Sequence, residues 1–166
     1  DESFDAESSA ILDTSIRELE QVFNSEEFKQ MVLNETFDVG NFNLSSEDIY
    51  GLIISGKDNY IDKPEDNSID IRVRIFDKYA GSGNFGFTDM QTRITKTHRC
   101  YILKNSQKCY TSHLAHEYMH QIGFYDKRTW LFGKKTSSVP YKIGRIVDEL
   151  IENDAKCFAK KETCSK

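Results

Sequence analysis

Apolar positions in the first third of the chain recur every three or four residues, which is the spacing of one helical face. Residues 9–23 show this pattern most clearly and predict an amphipathic packing helix. Its apolar row consists of Leu12, Ile16, Leu19 and Phe23. Ser25 precedes two glutamates and predicts a shorter helix to about Leu33, because serine caps a helix and acidic residues suit its first turn. Ser45 predicts a third helix that ends before Gly56.

Apolar and polar residues alternate strictly in the middle of the chain. Residues 69–75 carry isoleucine or valine at every second position, which predicts a strand with one buried face. Further strands are predicted within residues 87–97 and at residues 101–103. Helical spacing returns from Ile143 onward and predicts a C-terminal helix with one apolar stripe. The stripe contains Ile143, Ile146, Val147, Leu150, Ile151, Ala155 and Phe158.

The size and composition of the chain are those of one globular domain. We expect residues 1–166 to form a single domain, with residues 1–40 as an acidic helical segment packed on it. Hydrophobic residues make up 38% and charged residues 30% of the chain, as in ordinary globular proteins. No apolar run approaches the roughly 20 residues of a membrane-spanning helix. The net charge of −5 and the lack of a recognition motif argue against nucleic-acid binding.

The stretch from Leu114 to Asp126, LAHEYMHQIGFYD, contains the pattern H-E-x-x-H. His116 and His120 are four residues apart, so on a helix they lie on the same face and can bind one metal ion. Glu117 follows the first histidine, which directs its carboxylate toward water on the metal. We therefore expect a zinc site with Glu117 as the general base.

A third ligand is needed, because a catalytic zinc site usually has three protein ligands and one open position. Gly123 can end the helix soon after His120, since glycine adopts left-handed backbone conformations at little cost. The chain can then bring back Asp126, whose carboxylate binds zinc at about the same distance as imidazole, roughly 2.0–2.2 Å. We expect Asp126 to be the third ligand. Glu149 is the alternative, if the C-terminal helix faces the metal.

An isolated H-E-x-x-H pattern also occurs by chance on solvated helices. The residues around this one are largely apolar: Leu114, Ala115, Tyr118, Met119 and Ile122. Two histidines and a glutamate would be costly to bury there without a bound ion, which favours metal binding. His113 lies near the same face. We expect it to be a hydrogen-bonded residue of the helix's first turn rather than a ligand.

The extended pattern H-E-x-x-H-x-x-G-x-x-D resembles the signature of the metzincin branch of zinc metallopeptidases, whose snapalysin-like members end the motif with Asp. The resemblance covers roughly residues 111–147. It implies that three side chains bind Zn²⁺ and that Glu117 polarises the attacking water. The implied ligands are His116, His120 and Asp126.

The Met-turn of that family has only a partial counterpart in this chain. No methionine follows Met119, and residues 138–141, SVPY, occupy the place of the turn. Related sites use a tyrosine just after their turn, so the resemblance implies that Tyr141 hydrogen-bonds the developing oxyanion.

The resemblance also implies a fold, an α+β zincin-like domain. In it a small twisted mixed sheet packs on the active-site helix and the C-terminal helix, with helices at the N-terminus. Zincins commonly lay an extended substrate along an edge strand, so one strand within residues 87–103 is expected to hold the substrate. Thr111 or Ser112 is expected to cap the active-site helix. Residues 130–132, WLF, either wall the substrate pocket or pack beneath the metal.

The implied function is that of a zinc-dependent endopeptidase acting on a protein or peptide substrate. We expect a monomer. Two alternatives stay open, namely a catalytically silent binding module that zinc stabilises and a toxin-like module whose partner matters more than turnover. A retained inhibitory role of the acidic first third is disfavoured, because that third lacks a cysteine that could block the metal.

Charge is distributed unevenly along the chain. Residues 1–50 hold 13 acidic and 2 basic side chains, whereas residues 51–166 hold 14 acidic and 20 basic ones. Between residues 127 and 147 six side chains are basic and none is acidic. The six are Lys127, Arg128, Lys134, Lys135, Lys142 and Arg145. If this segment lies near the metal, it would favour acidic substrates or a polyanionic surface. We prefer the alternative, a solvated loop that faces the acidic N-terminal part.

Four cysteines allow three disulfide pairings. We expect the local pairing of Cys100 with Cys109 and of Cys157 with Cys164, with reduced core thiols as the alternative. Disulfides indicate an oxidising compartment, so the predicted location is secreted or periplasmic. The acidic first residues are unlike a signal peptide, and we expect any signal to have been removed.

Overall fold

A computed structural model of the chain describes residues 4–56, 68–76, 86–126 and 137–152. These ranges contain six helices and a three-stranded mixed sheet, so the predicted α+β class is confirmed. The helices are α1 (Ala6–Phe23), α2 (Glu26–Asn34), α3 (Ser46–Ile54), α4 (Arg99–Lys104), α5 (Gln107–Gln121) and α6 (Val139–Leu150). The strands are β1 (Val73–Phe76), β2 (Gly86–Asp89) and β3 (Ile94–His98).

The first three helices begin where side chains cap them. Ser25 and Ser45 accept hydrogen bonds from backbone N–H groups in the first turns of α2 and α3, as predicted. Helix α1 begins three residues earlier than predicted, because Asp5 accepts the Ser8 N–H at 2.8 Å and forms a capping box with it. Gly56 follows α3 with a φ of 62°, a conformation that favours glycine.

The sheet has the strand order β1-β3-β2. Strand β1 pairs with β3 in parallel and β2 pairs with β3 antiparallel, so Thr88 of β2 faces Thr95 of β3. The predicted alternation holds in β1, where Val73 and Ile75 are buried. Strand β2 has a neighbour on one side only among the described residues.

Residues 101–103 are helical, so the strand predicted there is wrong. Tyr101 and Ile102 are both buried. Successive residues of a strand point to opposite faces, whereas successive residues of a helix can share one buried face. Three apolar residues are too few to distinguish the two periods in the sequence.

Helix α5 lies at the centre of the molecule and packs against α1, α6, β2 and β3. Eleven of its fifteen residues are buried. Side chains such as Tyr110, Leu114 and Tyr118 join one continuous core with the apolar faces of α1 and α6. Burying each large apolar side chain contributes about 1.5–3 kcal/mol to the free energy of folding, so the core fixes the position of α5.

The N-terminal part contacts the start of α6 through opposite charges. Glu35 forms ion pairs with Lys142 at 3.0 Å and with Arg145 at 2.6 Å. A parallel bridge joins Val39 to Ser138 nearby. Lys142 and Arg145 of the basic segment therefore face the acidic N-terminal part, as we preferred. The other four basic residues of the segment lie outside the described ranges.

Cys100 and Cys109 both carry disulfide-bonded sulfurs, and neither is a free thiol. Cys157 and Cys164 lie outside the described residues, so the predicted pairing stays a prediction. Within the described ranges no helix combines the length and the apolar character that a bilayer-spanning segment needs.

Candidate metal centre

The helix that carries the two histidines begins earlier than the sequence predicted. Ser106 caps α5 by accepting the Cys109 N–H at 3.2 Å, so the predicted cap at Thr111 or Ser112 is wrong. Those two residues lie inside the helix, where their hydroxyls bind other helices. Thr111 donates to Glu18 of α1 at 2.7 Å, and Ser112 donates to the Gly144 carbonyl of α6 at 2.9 Å. These bonds fix α5 against both neighbours.

His116 and His120 lie one turn apart on the same face of α5. Their ring centroids are 5.0 Å apart and the rings are nearly perpendicular. Helix α6 approaches this face at Gly144, where an added Cβ would lie 3.3 Å from both the Cβ of His116 and the carbonyl oxygen of Ser112. A side chain at this position would press on the histidine. No sequence pattern singles out Gly144, because a single glycine in a helical pattern does not reveal its neighbour.

The chain turns back at Gly123, whose φ is 112°. Its N–H donates to the His120 carbonyl at 3.2 Å, and the next N–H, of Phe124, donates to the Met119 carbonyl at 2.9 Å. Three residues beyond the glycine, Asp126 reaches both histidines. Its Oδ2 lies 3.6 Å from Nε2 of His116 and 3.6 Å from Nε2 of His120.

Neighbouring groups orient the three side chains. Nδ1 of His120 lies 2.7 Å from the Phe124 carbonyl, so this nitrogen carries the proton and Nε2 keeps its lone pair. Ser138 donates its hydroxyl to Oδ1 of Asp126 at 2.9 Å, which leaves Oδ2 for the histidines. Ser138 is the N-cap residue of α6, yet its side chain forms no capping bond.

The electrostatics of the cluster favour a bound cation. Burial alone would raise the pKa of Asp126, but the neighbouring imidazoles hold it well below its usual range. Burial would likewise lower the pKa of His120, yet Asp126, Glu117 and the Phe124 carbonyl together raise it. The carboxylate thus favours positive charge beside its oxygens, and a metal ion can supply that charge.

The geometry fits a small divalent ion. One atom from each of the three ligands lies within 4.8 Å of the other two. Zinc bound tetrahedrally at roughly 2.0–2.2 Å separates its ligand atoms by about 3.3–3.6 Å, which matches the two 3.6 Å distances. Two imidazoles and a carboxylate suit zinc and also other first-row ions. The cluster could therefore hold a divalent cation and is not specific to zinc.

Glu117 lies beside the cluster and not in it. The residue is only 4% exposed. Its Oε2 accepts a hydrogen bond from the Thr88 hydroxyl of β2 at 2.7 Å, and its Oε1 lies 3.8 Å from Nδ1 of His113. The carboxylate is therefore held on the side of α5 that faces the sheet. No sequence signal predicts the role of Thr88, since no local pattern connects a strand residue to the helix residue 29 positions later.

His113 is buried in the second turn of α5. It is not a member of the ligand cluster, but the hydrogen-bonded first-turn role predicted for it is wrong. Nε2 of His113 has no hydrogen-bond partner among the described residues, and a Cβ at Gly86 would lie 2.6 Å from it. Burial lowers the pKa of His113 to about 4.

Tyr141 is half-buried, and its ring centroid lies 4.6 Å from that of His116 in an edge-on contact. The residue belongs to the first turn of α6, so residues 138–141 begin a helix and do not form a separate turn. Pro140 explains the earlier start, because proline fits the first turn of a helix. Burial, and then the charges of Asp126 and Glu117, raise the pKa of Tyr141.

Glu149, the alternative third ligand, does not belong to the cluster. Glu149 is exposed on α6, and the group that can hold a metal among the described residues contains Asp126 in its place. Residues 130–132, which were expected to wall a pocket or to pack beneath the metal, lie outside the described ranges.

Comparison of the chain with protein-family models, with curated proteins and with solved structures finds no match.

Proposed function

We propose that this protein is a zinc-dependent endopeptidase with a zincin-like, metzincin-type site. The observation that carries the proposal is the convergence of His116 and His120 on one carboxylate oxygen of Asp126. Glu117, the next residue after the first histidine, has a buried carboxylate whose charge acts on His120. A purely structural metal site would not need that fourth group.

In the proposed reaction each side chain has a separate task. His116, His120 and Asp126 would hold the ion, which when bound supplies a Lewis acid for the peptide carbonyl and for the attacking water. Glu117 takes the proton of that water and delivers it to the leaving amine. Tyr141 donates a hydrogen bond to the oxyanion that develops on the carbonyl, a role supported by its contact with His116.

Strand β2 is the proposed binding element for the substrate. It lies at an edge of the described sheet, and α5 packs against it. An extended peptide can add to such an edge through backbone hydrogen bonds, while alternate side chains of the strand face outward. Phe87 is 41% exposed on this strand and would contact side chains of the peptide.

The proposed partner is a single protein or peptide substrate, and we propose a monomer that works in an oxidising compartment. The disulfide-bonded state of Cys100 and Cys109 supports that location.

The test combines metal analysis with proteolysis. Purified protein is expected to contain about one zinc ion per chain and to cleave casein or a fluorogenic peptide library in a chelator-sensitive way. Glu117→Gln keeps the shape of the side chain and removes the base, so cleavage should fall by roughly 10²-fold or more with the metal content unchanged. Glu149→Gln, an exposed acid on α6, is the matched control and should retain full activity. Equal activity of the Glu117 variant and the control would overturn the proposal.

A binding module that zinc stabilises, including a toxin-like one, is the second candidate. The contact between Glu117 and Thr88 favours it, because this carboxylate also satisfies a buried hydroxyl of the sheet. This candidate expects metal binding and thermal stabilisation without cleavage of any peptide.

A further inference from the structure

A chain of buried hydrogen bonds leads from the sheet to Glu117. The Thr88 hydroxyl lies 2.7 Å from Oε2 of Glu117 and 2.8 Å from the hydroxyl of Thr95. The side-chain amide of Gln121 donates to that second hydroxyl at 2.7 Å. Thr88, Thr95 and Gln121 are all buried, so water competes little for these groups.

The direction of the hydrogen bonds follows from the backbone of Arg72. Its N–H donates to Oε1 of Gln121 at 3.1 Å, and its carbonyl accepts from Nε2 at 3.1 Å. These two bonds fix the orientation of the amide, so Gln121 must present an N–H to Thr95. Because Oγ1 of Thr95 accepts that hydrogen, its own hydrogen points to Thr88.

Thr88 therefore directs its single hydrogen toward Glu117. The hydroxyl lies 2.7 Å from the carboxylate oxygen and 3.2 Å from the Glu117 backbone carbonyl. The carboxylate is both the closer and the stronger acceptor, since bonds to charged oxygen are shorter and stronger. All the bonds thus run one way, from Gln121 through the two threonines to Oε2.

We propose that Thr88, Thr95 and Gln121 are positioning residues for Glu117, an inference that rests on the proposed function. Their hydrogen bonds hold Oε2 against the sheet and fix the plane of the carboxylate. Oε1, which lies 3.8 Å from Nδ1 of His113, would then be the oxygen that receives the proton of the attacking water. A general base must lie within hydrogen-bond reach of the proton it removes. The chain of hydrogen bonds restricts rotation of the Glu117 side chain, and such rotation would break this alignment.

The location of Thr88 adds a consequence for the substrate. Thr88 faces α5 from strand β2, whereas its neighbour Phe87 is exposed on the opposite face of the strand. In the proposed complex, β2 would thus present its edge to the peptide and also position the base. The register of the peptide and the position of Glu117 are set together.

The experiment uses the metal-loaded full chain and a fluorogenic peptide that the unmodified protein cleaves. Thr88→Val has the same shape without the hydroxyl, and we expect kcat to fall by roughly 10-fold or more, a part of the 10²–10⁴-fold that general base catalysis contributes. KM and metal content should stay within about two-fold of the unmodified values, because the variant removes no ligand and no substrate contact. Thr88→Ser, which keeps the hydroxyl, should recover most of the rate.

Two further variants separate positioning from simple stability. Thr95→Val acts one bond further from the base and should give a smaller loss of kcat, which keeps the test decisive if Thr88→Val folds poorly. Thr97→Val is the matched control, because Thr97 is buried on β3 but does not belong to this chain of hydrogen bonds. In a Glu117→Ala background, Thr88→Val should cause no further loss of the residual rate.

The outcomes also separate the inference from the proposed function. Equal kcat values for the Thr88→Val and Thr97→Val variants, in a protein that cleaves peptide, would overturn the positioning role alone. A Thr88→Ser variant as slow as Thr88→Val would overturn it as well. Absence of metal-dependent cleavage by the unmodified protein would overturn both the proposed function and this inference.

Discussion

The Ser138 hydroxyl hydrogen-bonds a candidate metal ligand and does not cap its own helix. It stands at the N-cap of α6 but donates its hydroxyl to Asp126. Groups that orient a ligand in this way typically change metal affinity by 10- to 100-fold when they are removed. The hydroxyl of Ser25 instead caps α2, so the two serines form a natural pair for comparison.

We predict that Ser138→Ala weakens zinc binding by roughly 10-fold, because Asp126 loses the bond that directs Oδ2 to the histidines. A titration against a competing chelator measures the change. Ser25→Ala is the control, expected to cost about 1 kcal/mol of folding free energy with no effect on zinc affinity. Identical zinc affinities for the two variants would contradict the role given to Ser138.

His113 makes the stability of the metal-free protein depend on pH. Its pKa is about 4 in the folded state, against 6.5 for the unperturbed group, because burial penalises the charged ring. Between these values the unfolded chain binds a proton that the folded chain does not. The free energy of unfolding therefore falls as the pH falls from about 6.5 to about 4, by at most about 1.4 kcal/mol per pH unit from this group.

We predict that His113→Gln removes this slope, since glutamine does not titrate. Urea unfolding of the metal-free protein at several pH values between 4 and 7 measures it. The unmodified protein is the reference, because its other titratable groups are the same as those of the variant. Parallel curves for the two proteins would exclude His113 as the source.

At the scale of elements, the approach of α6 to α5 decides whether the histidines keep their positions. Gly144 lies where a Cβ would meet both the His116 side chain and the Ser112 carbonyl at 3.3 Å. The Ser112 hydroxyl binds the Gly144 carbonyl at the same contact. The Ser112 backbone and the Cβ of His116, both on α5, therefore resist any added volume at Gly144.

We predict that Gly144→Ala destabilises the protein by about 1–3 kcal/mol and also weakens zinc binding, because the added methyl displaces His116. Gly51 on α3 is the matched control, since nothing lies within 4 Å of its Cβ position. Gly51→Ala should stabilise the protein by up to about 1 kcal/mol through helix propensity alone. Thermal unfolding with and without zinc compares the two variants. If Gly144→Ala instead raised the free energy of unfolding, α5 and α6 could move apart without loss of stability, and the prediction would be wrong.

For the molecule as a whole, we expect the fold to form without the metal. The core around α5 is continuous from α1 to α6, whereas the three ligands of the cluster are only partly buried. Zinc should therefore add stability to a chain that folds without it.

We predict that chelation lowers the unfolding temperature but leaves the helical circular dichroism signal intact. At a free zinc concentration 100-fold above Kd, the ion adds about 2.7 kcal/mol to the free energy of unfolding. Asp126→Asn is the control, because loss of the charge should abolish most of the zinc-dependent shift. Complete loss of helix on chelation would identify a metal-dependent fold instead.

Local sequence patterns predicted the helices whose first residues include a capping side chain. Ser25 and Ser45 marked the starts of α2 and α3, and the alternation that ends in β1 identified its buried face. The prediction failed at residues 101–103 because a short apolar run fits both periods. It also placed the start of α5 too late, since Ser106, Thr111 and Ser112 are all possible caps.

The sequence by itself determined the spacing of His116 and His120 and the turn at Gly123, because helix geometry and glycine conformation act over a few neighbouring residues. Only the tertiary structure decided which groups complete the site. Thr88 comes from β2, whereas Ser138 and Gly144 come from the start and the middle of α6, and packing of these two elements against the buried helix α5 brings the three residues to it. Contacts between distant segments depend on the shape of the whole core, which no local pattern contains.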